Sequence, residues 1–158
     1  MTLLLQVADP QGADALALLR LAAAEARALY PEAFAADAPQ PSNRSTPPRG
    51  VYLVGYDDGR PVAMGAHQPL DAATTELRRL YVRADARRSG VARAVVAALE
   101  AHARAQGFGL MRLETGWRQL PAMRLYEACG WIRIAPFGPY AGDPSSVCYE
   151  KRLLQATA

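Results

Sequence analysis

A basic, glycine-containing hexapeptide is the part of the sequence that most directly indicates chemistry: Arg87-Arg88-Ser89-Gly90-Val91-Ala92. It follows the apolar run 80–82 and opens a segment with helical periodicity. The first turn of a helix carries N–H groups without intrahelical acceptors and a partial positive charge, and phosphate oxygens satisfy both. Gly90 permits a tight turn, and the arginines add charged, fork-shaped donors. The pattern therefore predicts a pyrophosphate-binding site.

Two other phosphate-binding patterns fit the sequence poorly. A Walker-type loop ends in Gly-Lys-Ser/Thr, whereas the only lysine of this chain is Lys151. A dinucleotide-binding fingerprint needs three spaced glycines and an acidic residue about 20 positions later, whereas Gly90 stands alone in its turn. The sequence therefore favours neither an NTPase nor a Rossmann dehydrogenase.

The hexapeptide resembles the pyrophosphate loop of the GNAT acetyltransferases, Arg/Gln-x-x-Gly-x-Gly/Ala, with Arg87, Gly90 and Ala92 at the specified positions. A later stretch is similar to a second motif of that family, Asn-x-x-Ala-x-x-Leu-Tyr-x-x-x-Gly-Phe. The matching residues are Gln119, Ala122, Leu125, Tyr126, Gly130 and Trp131, with Gln in place of Asn and Trp in place of Phe. The resemblance covers residues 76–153 well and the first half loosely, and it is strongest to small single-domain bacterial members.

The resemblance implies acetyl transfer from acetyl-CoA, and it assigns two catalytic candidates. Tyr126 matches the family's acid, and a phenol suits that role because its pKa near 10 is close to that of an alkyl thiol. Its helical spacing would equally suit a core tyrosine. Glu76 corresponds to a position where some members hold the general base that deprotonates the amine. The alternative is a strand-end glutamate paired with Arg78.

The resemblance also assigns contacts to the cofactor, acetyl-CoA. Strand residues would pair with its pantetheine arm through the backbone of Leu80 and Val82, with Tyr81 between them. Pyrophosphate contacts would come from Arg87, Arg88, Ser89, Gly90, Val91 and Ala92, with Arg93 assisting. Gln119 stands where the family's asparagine often contacts the cofactor.

Acceptor recognition is less clearly specified. Arg78 lies two residues from Glu76, on the same face of a regular strand, and could hold an acceptor carboxylate in a bidentate manner. Tyr140 is a candidate for the opposite wall. The proline-rich stretch 36–50 is expected to be a loop that is either an acceptor-side lid or a plain connection. We expect a small-molecule amine acceptor, with a protein lysine or N-terminal amine, or a non-catalytic acyl-CoA sensor, as alternatives.

Composition limits the other classes of function. The 158 residues, 51% of them hydrophobic, predict one domain over residues 1–158. Neither a signal peptide nor a membrane-spanning run is evident, which predicts a cytoplasmic protein without a membrane partner. Six arginines between Arg78 and Arg93 could contact nucleic acid, but Tyr81 alone provides no stacking platform, so no nucleic-acid partner is expected. A homodimer is expected from related GNAT domains.

The remaining reactive residues suggest structural roles. Cys129 and Cys148 fall on a predicted helix and a predicted strand and are expected to be reduced and buried. His102 lies on an apolar helix face, whereas His67 could face the acceptor pocket. Neither histidine has companions at metal-ligand spacing, so no metal is expected.

Periodicity predicts the elements that must position these residues. Strands are expected at 3–7, on both sides of the turn 57–60, at 76–82 and 110–115, and from Trp131 and Ser146. Helices are expected from the Asp9-Pro10 pair, after Gly90, and from Pro121. This order predicts an α/β fold in which a mixed sheet has helices on both faces, and the resemblance implies the mostly antiparallel GNAT sheet.

Overall fold

The computed structural model describes residues 2–153, which form a seven-stranded mixed sheet packed against three α-helices. The elements in chain order are β1 (Leu3–Val7), α1 (Ala13–Leu29), β2 (Val51–Asp57), β3 (Arg60–Pro69), β4 (Thr74–Val82), α2 (Val91–Ala105), β5 (Leu110–Gly116), α3 (Leu120–Ala128), β6 (Ile132–Ile134) and β7 (Ser146–Arg152). The predicted domain over 1–158 includes residue 1 and residues 154–158, which lie outside the described part of the chain.

The sheet is antiparallel except at its centre. The strand order is β1-β2-β3-β4-β5-β7-β6, and only β4 and β5 run parallel. Their pairing ends where Glu76 lies opposite Arg112. Beyond this point residues 77–82 pair with β3 alone and residues 113–116 with β7 alone, so the two central strands separate and leave a cleft. The predicted mixed, mostly antiparallel sheet is confirmed.

Helices cover both faces of the sheet, because successive strand residues point to opposite sides. In β2, Val51 and Leu53 belong to the cluster beneath α2, whereas Tyr52 and Val54 pack with α1. The buried residues of α2 include Val91, Val95 and Leu99, which its periodicity predicts, and also Val96, Glu100 and Ala103, which it does not. Each face therefore has its own hydrophobic core, as predicted.

The expected start of α1 was wrong. The helix begins at Ala13 with Gly12 as N-cap, not at Pro10. Asp9 closes a turn instead, since its carboxylate accepts the N–H of Gln11 at 2.9 Å and its carbonyl accepts that of Gly12 at 2.9 Å. The Asp-Pro pair thus marks the turn that precedes the helix.

The hairpin between β2 and β3 is confirmed. Its two-residue turn consists of Asp58 and Gly59, both with positive φ (49° and 81°), as the twist of a tight hairpin requires. The other helices and strands start within about two residues of their predicted positions. Within residues 2–153, no helix is long and apolar enough to cross a bilayer.

A β-bulge in β4 was not predicted. Arg78 lies opposite Ala66, but Tyr81 lies opposite Met64, so β4 contains one residue more than β3 across this stretch. Arg79 absorbs the irregularity with φ 61°. The alternation of side chains is interrupted there, and Arg78 and Arg79 line the same cavity instead of facing opposite sides.

Candidate active site

The loop before α2 has the geometry of an anion site. Gly90, with φ 82° and ψ 6°, caps the helix in a conformation that favours glycine, and a Cβ there would meet no atom within 4 Å. Ala94 bonds back to the Gly90 carbonyl at 3.0 Å, but the amides of Val91, Ala92 and Arg93 have no acceptor in the described part of the chain. An open space lined by unpaired N–H groups suits phosphate oxygens.

The arginines of this loop have different surroundings. Arg87 donates from Nε to the Val82 carbonyl at 2.9 Å and forms a 2.5 Å ion pair with Glu25 of α1, so it fastens the loop to β4 and α1. Arg88 and Arg93 are exposed and make no ion pair with residues 2–153. These two guanidinium groups therefore provide the available charge. The Ser89 hydroxyl already donates a hydrogen bond to the Ala86 carbonyl, at 2.7 Å.

Residues 80–82, which are expected to pair with the pantetheine arm, form the edge of β4 that borders the cleft. The Leu80 side chain packs with the α2 cluster and Tyr81 with the α1 cluster, while β3 is the only strand within residues 2–153 that pairs with this segment. The edge facing β5 thus carries backbone groups without a strand partner. An extended chain of amides could add there as a further strand.

Tyr126 is both a core residue and a proton-donor candidate. Its side chain, on α3, is 5% exposed, and its ring lies 5.9 Å from Trp131 and 5.8 Å from Tyr149. Its hydroxyl has no hydrogen-bond partner among residues 2–153, yet it is not among their fully buried unpaired polar atoms, so it keeps an opening to solvent. Burial raises the pKa of Tyr126 well above its ordinary value, which keeps the phenol protonated.

Glu76 lies at the vertex of the cleft, where β4 and β5 separate. It is 4% exposed, and its Oε2 accepts a hydrogen bond from the Tyr140 hydroxyl at 2.9 Å. The alternative pairing with Arg78 does not occur, since no ion pair joins the two among the residues described. Burial and the Glu76 charge raise the pKa of Tyr140, so this phenol stays a donor to the carboxylate.

A second carboxylate lies near Glu76 and was not proposed from the sequence. Glu114 stands two residues after Arg112, the partner of Glu76, and it contributes to the raised pKa of Tyr140. Its Oε2 accepts a hydrogen bond from the Ser146 hydroxyl at 2.7 Å. The sequence shows that Arg112 and Glu114 are two residues apart and so lie on the same face of their strand. Only the sheet topology shows that this strand is the neighbour of β4.

The two cysteines do not form a nucleophilic centre. Both are free; Cys148 is fully buried opposite Glu114, and burial raises the pKa of its thiol. Cys129 is half-buried and packs against the core at the end of α3. The Cys148 thiol therefore lacks the low-pKa environment that a thiolate nucleophile needs.

The His67 side chain is buried, although residue 67 borders the polar cavity described below. Its ring is buried beneath α2, with Nδ1 2.7 Å from the Thr75 hydroxyl and Nε2 2.8 Å from His102 Nδ1. Burial first and the His102 charge second lower the pKa of His67 to about 4. The strand register explains the direction, since His67 shares the face of Val51 and Leu77.

Gln119 is the N-cap residue of α3. Its amide N–H bonds to the Gly116 carbonyl at 3.0 Å and its carbonyl accepts from Met123 at 3.0 Å. Its side chain makes no hydrogen bond to residues 2–153 and could contact a ligand.

A polar cavity of about 340 Å³ adjoins β4 on the Tyr52 side of the sheet. Its walls are residues 42–47, Val51, Tyr52, residues 66–68, Arg78 and Arg79. Asn43 fastens the loop, since its side-chain amide donates to the Pro10 carbonyl at 2.8 Å and its oxygen accepts from Arg79 at 3.0 Å. Part of the proline-rich stretch 36–50 is thus a fixed wall of a cavity.

Comparison with known proteins points in one direction. The family model described as "Acetyltransferase (GNAT) family" matches residues 3–131. An IAA acetyltransferase of Azospirillum brasilense is 35% identical over 103 residues, which cover 65% of this chain and 67% of the relative.

Two solved structures share the architecture. A Klebsiella pneumoniae protein assigned to the acyl-CoA N-acyltransferases superposes with a TM-score of 0.79 at 30% identity, over 96% of this chain and 98% of the other. A GNAT acetyltransferase from Elizabethkingia anophelis with acetyl-CoA bound has a TM-score of 0.68 over 96% and 98% of the two chains; at 12% identity it shows the fold alone.

Proposed function

The chain belongs to the GNAT family of acetyltransferases, and from that premise we propose that it transfers the acetyl group of acetyl-CoA to a primary amine of a small molecule. The observation that carries this proposal is the cleft between β4 and β5, which opens at Glu76. Along β4 the cleft leads toward the amide-lined loop at the start of α2. One cleft therefore offers sites for a carboxylate base, an extended amide arm and a pyrophosphate.

The fit to acetyl-CoA is supported by groups that have no partner in the described part of the chain. The amides of residues 91–93 and the guanidinium groups of Arg88 and Arg93 would hold the pyrophosphate. The unpartnered edge of β4 at residues 80–82 would hydrogen-bond the amides of the pantetheine arm. We assign Arg87 to positioning, because its guanidinium already binds Val82 and Glu25. The cofactor supplies an acetyl thioester.

Glu76, at the vertex of the cleft, and Tyr126, on α3, are the candidates for proton transfer in the reaction. Glu76 would take a proton from the ammonium form of the acceptor, directly or through a water, so that the nitrogen lone pair is free to attack. As the new C–N bond forms and the C–S bond breaks, the nitrogen would lose its second proton to water, and Tyr126 would give its phenolic proton to the departing sulfur and recover one from solvent. Direct attack needs no acetylated cysteine, which agrees with the buried Cys148 thiol.

A small acceptor is favoured over a protein amine by the walls of the cavity. Residues 42–47 are held over it by Asn43, which reaches Pro10, Arg79 and the Tyr52 hydroxyl. A fixed loop over the Tyr52 side of the sheet leaves a bounded space, whereas a protein acceptor needs an open groove for its chain.

The test is acetyl-CoA-dependent thiol release against a panel of amines, with mass spectrometry of the products. We expect wild type to release thiol and acetylate some of the amines, and Gly90→Glu, whose side chain would occupy the phosphate space, to do neither. Binding of acetyl-CoA without acetylation of any small amine, peptide lysine or peptide N-terminus would favour an acyl-CoA sensor instead.

A further inference from the structure

We propose that the cavity beside β4 binds an oxyanion of the acceptor, so that the enzyme prefers amines that also carry a carboxylate or a phosphate-like group. This inference rests on the proposed function and specifies its substrate class. The site is built from Arg44, on the loop over the cavity, and from Arg78 and Arg79, at the bulge of β4.

The charged side chains that line the cavity are all positive. Among the residues that the structure describes, its lining contains three arginines and no aspartate or glutamate. Arg44 and Arg78 are exposed, and neither forms an ion pair or a hydrogen bond with the residues described. Some arginines elsewhere do have carboxylate partners, as Arg60 has Asp85 and Arg118 has Glu32. Within residues 2–153, the positive charge of Arg44 and Arg78 thus has no carboxylate partner.

The third arginine is held in place by the loop. Arg79 donates from Nε to Asn43 Oδ1 at 3.0 Å and from Nη2 to the Ser42 carbonyl at 3.2 Å. Its φ of 61° places it beside Arg78 on the cavity side of the sheet. Burial, and then the neighbouring Arg78 charge, lower the pKa of Arg79, so two guanidinium groups repel each other in a partly dehydrated site. A bound oxyanion would relieve that repulsion.

The position of Arg78 places the cavity next to Glu76, the candidate base. Arg78 lies two residues after Glu76, and alternate residues of a strand are roughly 6–7 Å apart on one face. The Arg78 charge also reaches Tyr140, the donor to Glu76, because it opposes the rise in the pKa of that phenol. An acceptor with its amine at Glu76 and its oxyanion at Arg78 would have these groups a few bonds apart.

The first arm of the test compares acceptors that differ only in the oxyanion. Matched pairs are an amino acid and its carboxamide, and an aminoalkylphosphonate and the alkylamine of the same length. We expect kcat/KM to be at least about tenfold higher for the anionic member of a pair, the difference that one charge-assisted hydrogen bond provides. Comparison of carboxylate with phosphonate shows which oxyanion fits. Equal use of neutral and anionic amines would refute the inference and leave the acetyltransferase function standing.

The second arm removes the arginines singly. Arg78→Gln and Arg44→Gln should raise KM for the anionic acceptor about tenfold and should change KM for neutral amines much less. Arg20→Gln is the matched control, because Arg20 is exposed on α1 and makes no ion pair among residues 2–153. If the variants lost kcat/KM equally with neutral and anionic acceptors, the arginines would not bind the oxyanion.

A third arm does not depend on turnover. Calorimetry of the free amino acid and its carboxamide, with wild type and Arg78→Gln in the presence of coenzyme A, measures acceptor binding alone. If wild type binds the acid and Arg78→Gln does not, the oxyanion site is supported, whether or not any amine of the panel is acetylated. If no amine is acetylated, the proposed function is contradicted while the oxyanion site is not. Binding of acid and amide with equal affinity contradicts the inference.

Discussion

The Tyr140 hydroxyl donates a hydrogen bond to Glu76 Oε2 at 2.9 Å, across 64 positions of the sequence. It connects the short 3₁₀ turn Gly138–Tyr140, between β6 and β7, with the vertex of the cleft between β4 and β5. Glu76 is buried, and a buried carboxylate needs donors to remain in place. Tyr140 therefore positions the candidate base, in addition to any contact with the acceptor.

Tyr140→Phe should lower both stability and activity. Loss of a hydrogen bond to a buried charged group is expected to reduce the free energy of unfolding by about 1–3 kcal/mol and kcat/KM by about tenfold. Tyr56→Phe is the control, since the Tyr56 hydroxyl donates to the Asp14 carboxylate at 2.6 Å on α1. Urea unfolding and steady-state kinetics should show that both variants lose stability but only Tyr140→Phe loses activity. Full activity of Tyr140→Phe would show that Tyr140 does not position the base.

The two carboxylates at the vertex can be distinguished by matched substitutions. Glu76→Gln should reduce kcat/KM by about 100-fold or more, the usual contribution of a general base, because its amide can still accept from Tyr140 but cannot take a proton. Glu114→Gln keeps the Ser146 contact and should lose much less activity. Kinetics of both variants from pH 6 to 9 check this expectation. The reverse ranking would transfer the role of base to Glu114.

Strand positions could be predicted from the sequence, but the surroundings of the site residues could not. The hydrophobic alternation and the Asp58-Gly59 turn depend on local backbone preferences, so β2 and β3 were predicted. The partner of Glu76 depends on which strands become neighbours and on how the 3₁₀ turn with Tyr140 folds back. Local patterns predicted a helix from Pro10 because an Asp-Pro pair suits a turn as well as a cap.

The bulge at Arg79 shows a second limit. A regular strand would have placed Arg78 and Arg79 on opposite faces, and two-residue alternation was the only guide the sequence offered. The extra residue in β4 places them side by side, and it is stabilised by contacts with Asn43 and Ser42, more than 35 positions away. Such long-range contacts override local pattern, so the cavity could be recognised only in three dimensions.

Tyr126→Phe should separate activity from stability. The hydroxyl has no hydrogen-bond partner in the described residues, so its removal should change the free energy of unfolding by less than about 0.5 kcal/mol. Loss of the proton donor should lower kcat by about 100-fold. Tyr149→Phe, which loses a 3.0 Å bond to Glu127, should behave in the opposite way. Wild-type kcat in Tyr126→Phe would leave Tyr126 with a packing role alone.

Two glycines offer a matched test of the pyrophosphate loop. Gly90 and Gly59 have nearly the same φ, 82° and 81°, and an added Cβ meets no atom within 4 Å at either. Alanine at each should cost about 1–2 kcal/mol of stability through the left-handed backbone. Only Gly90→Ala should raise KM for acetyl-CoA, because only there does the methyl group enter the proposed phosphate space. Equal KM values in both variants would contradict that placement.

The buried His67 should make stability depend on pH. Its pKa is about 4 in the folded protein and 6.5 when unperturbed, so between these values the unfolded chain binds a proton that the folded protein does not. Folding stability contributed by the neutral ring is complete above pH 6.5 and decreases as the pH falls toward 4, by roughly 3 kcal/mol in total. Urea unfolding of wild type and His67→Gln at pH 7.5, 6 and 5 isolates this contribution, because the amide does not titrate. The variant should lose less stability than wild type over this range, and parallel losses would show that His67 does not cause the dependence.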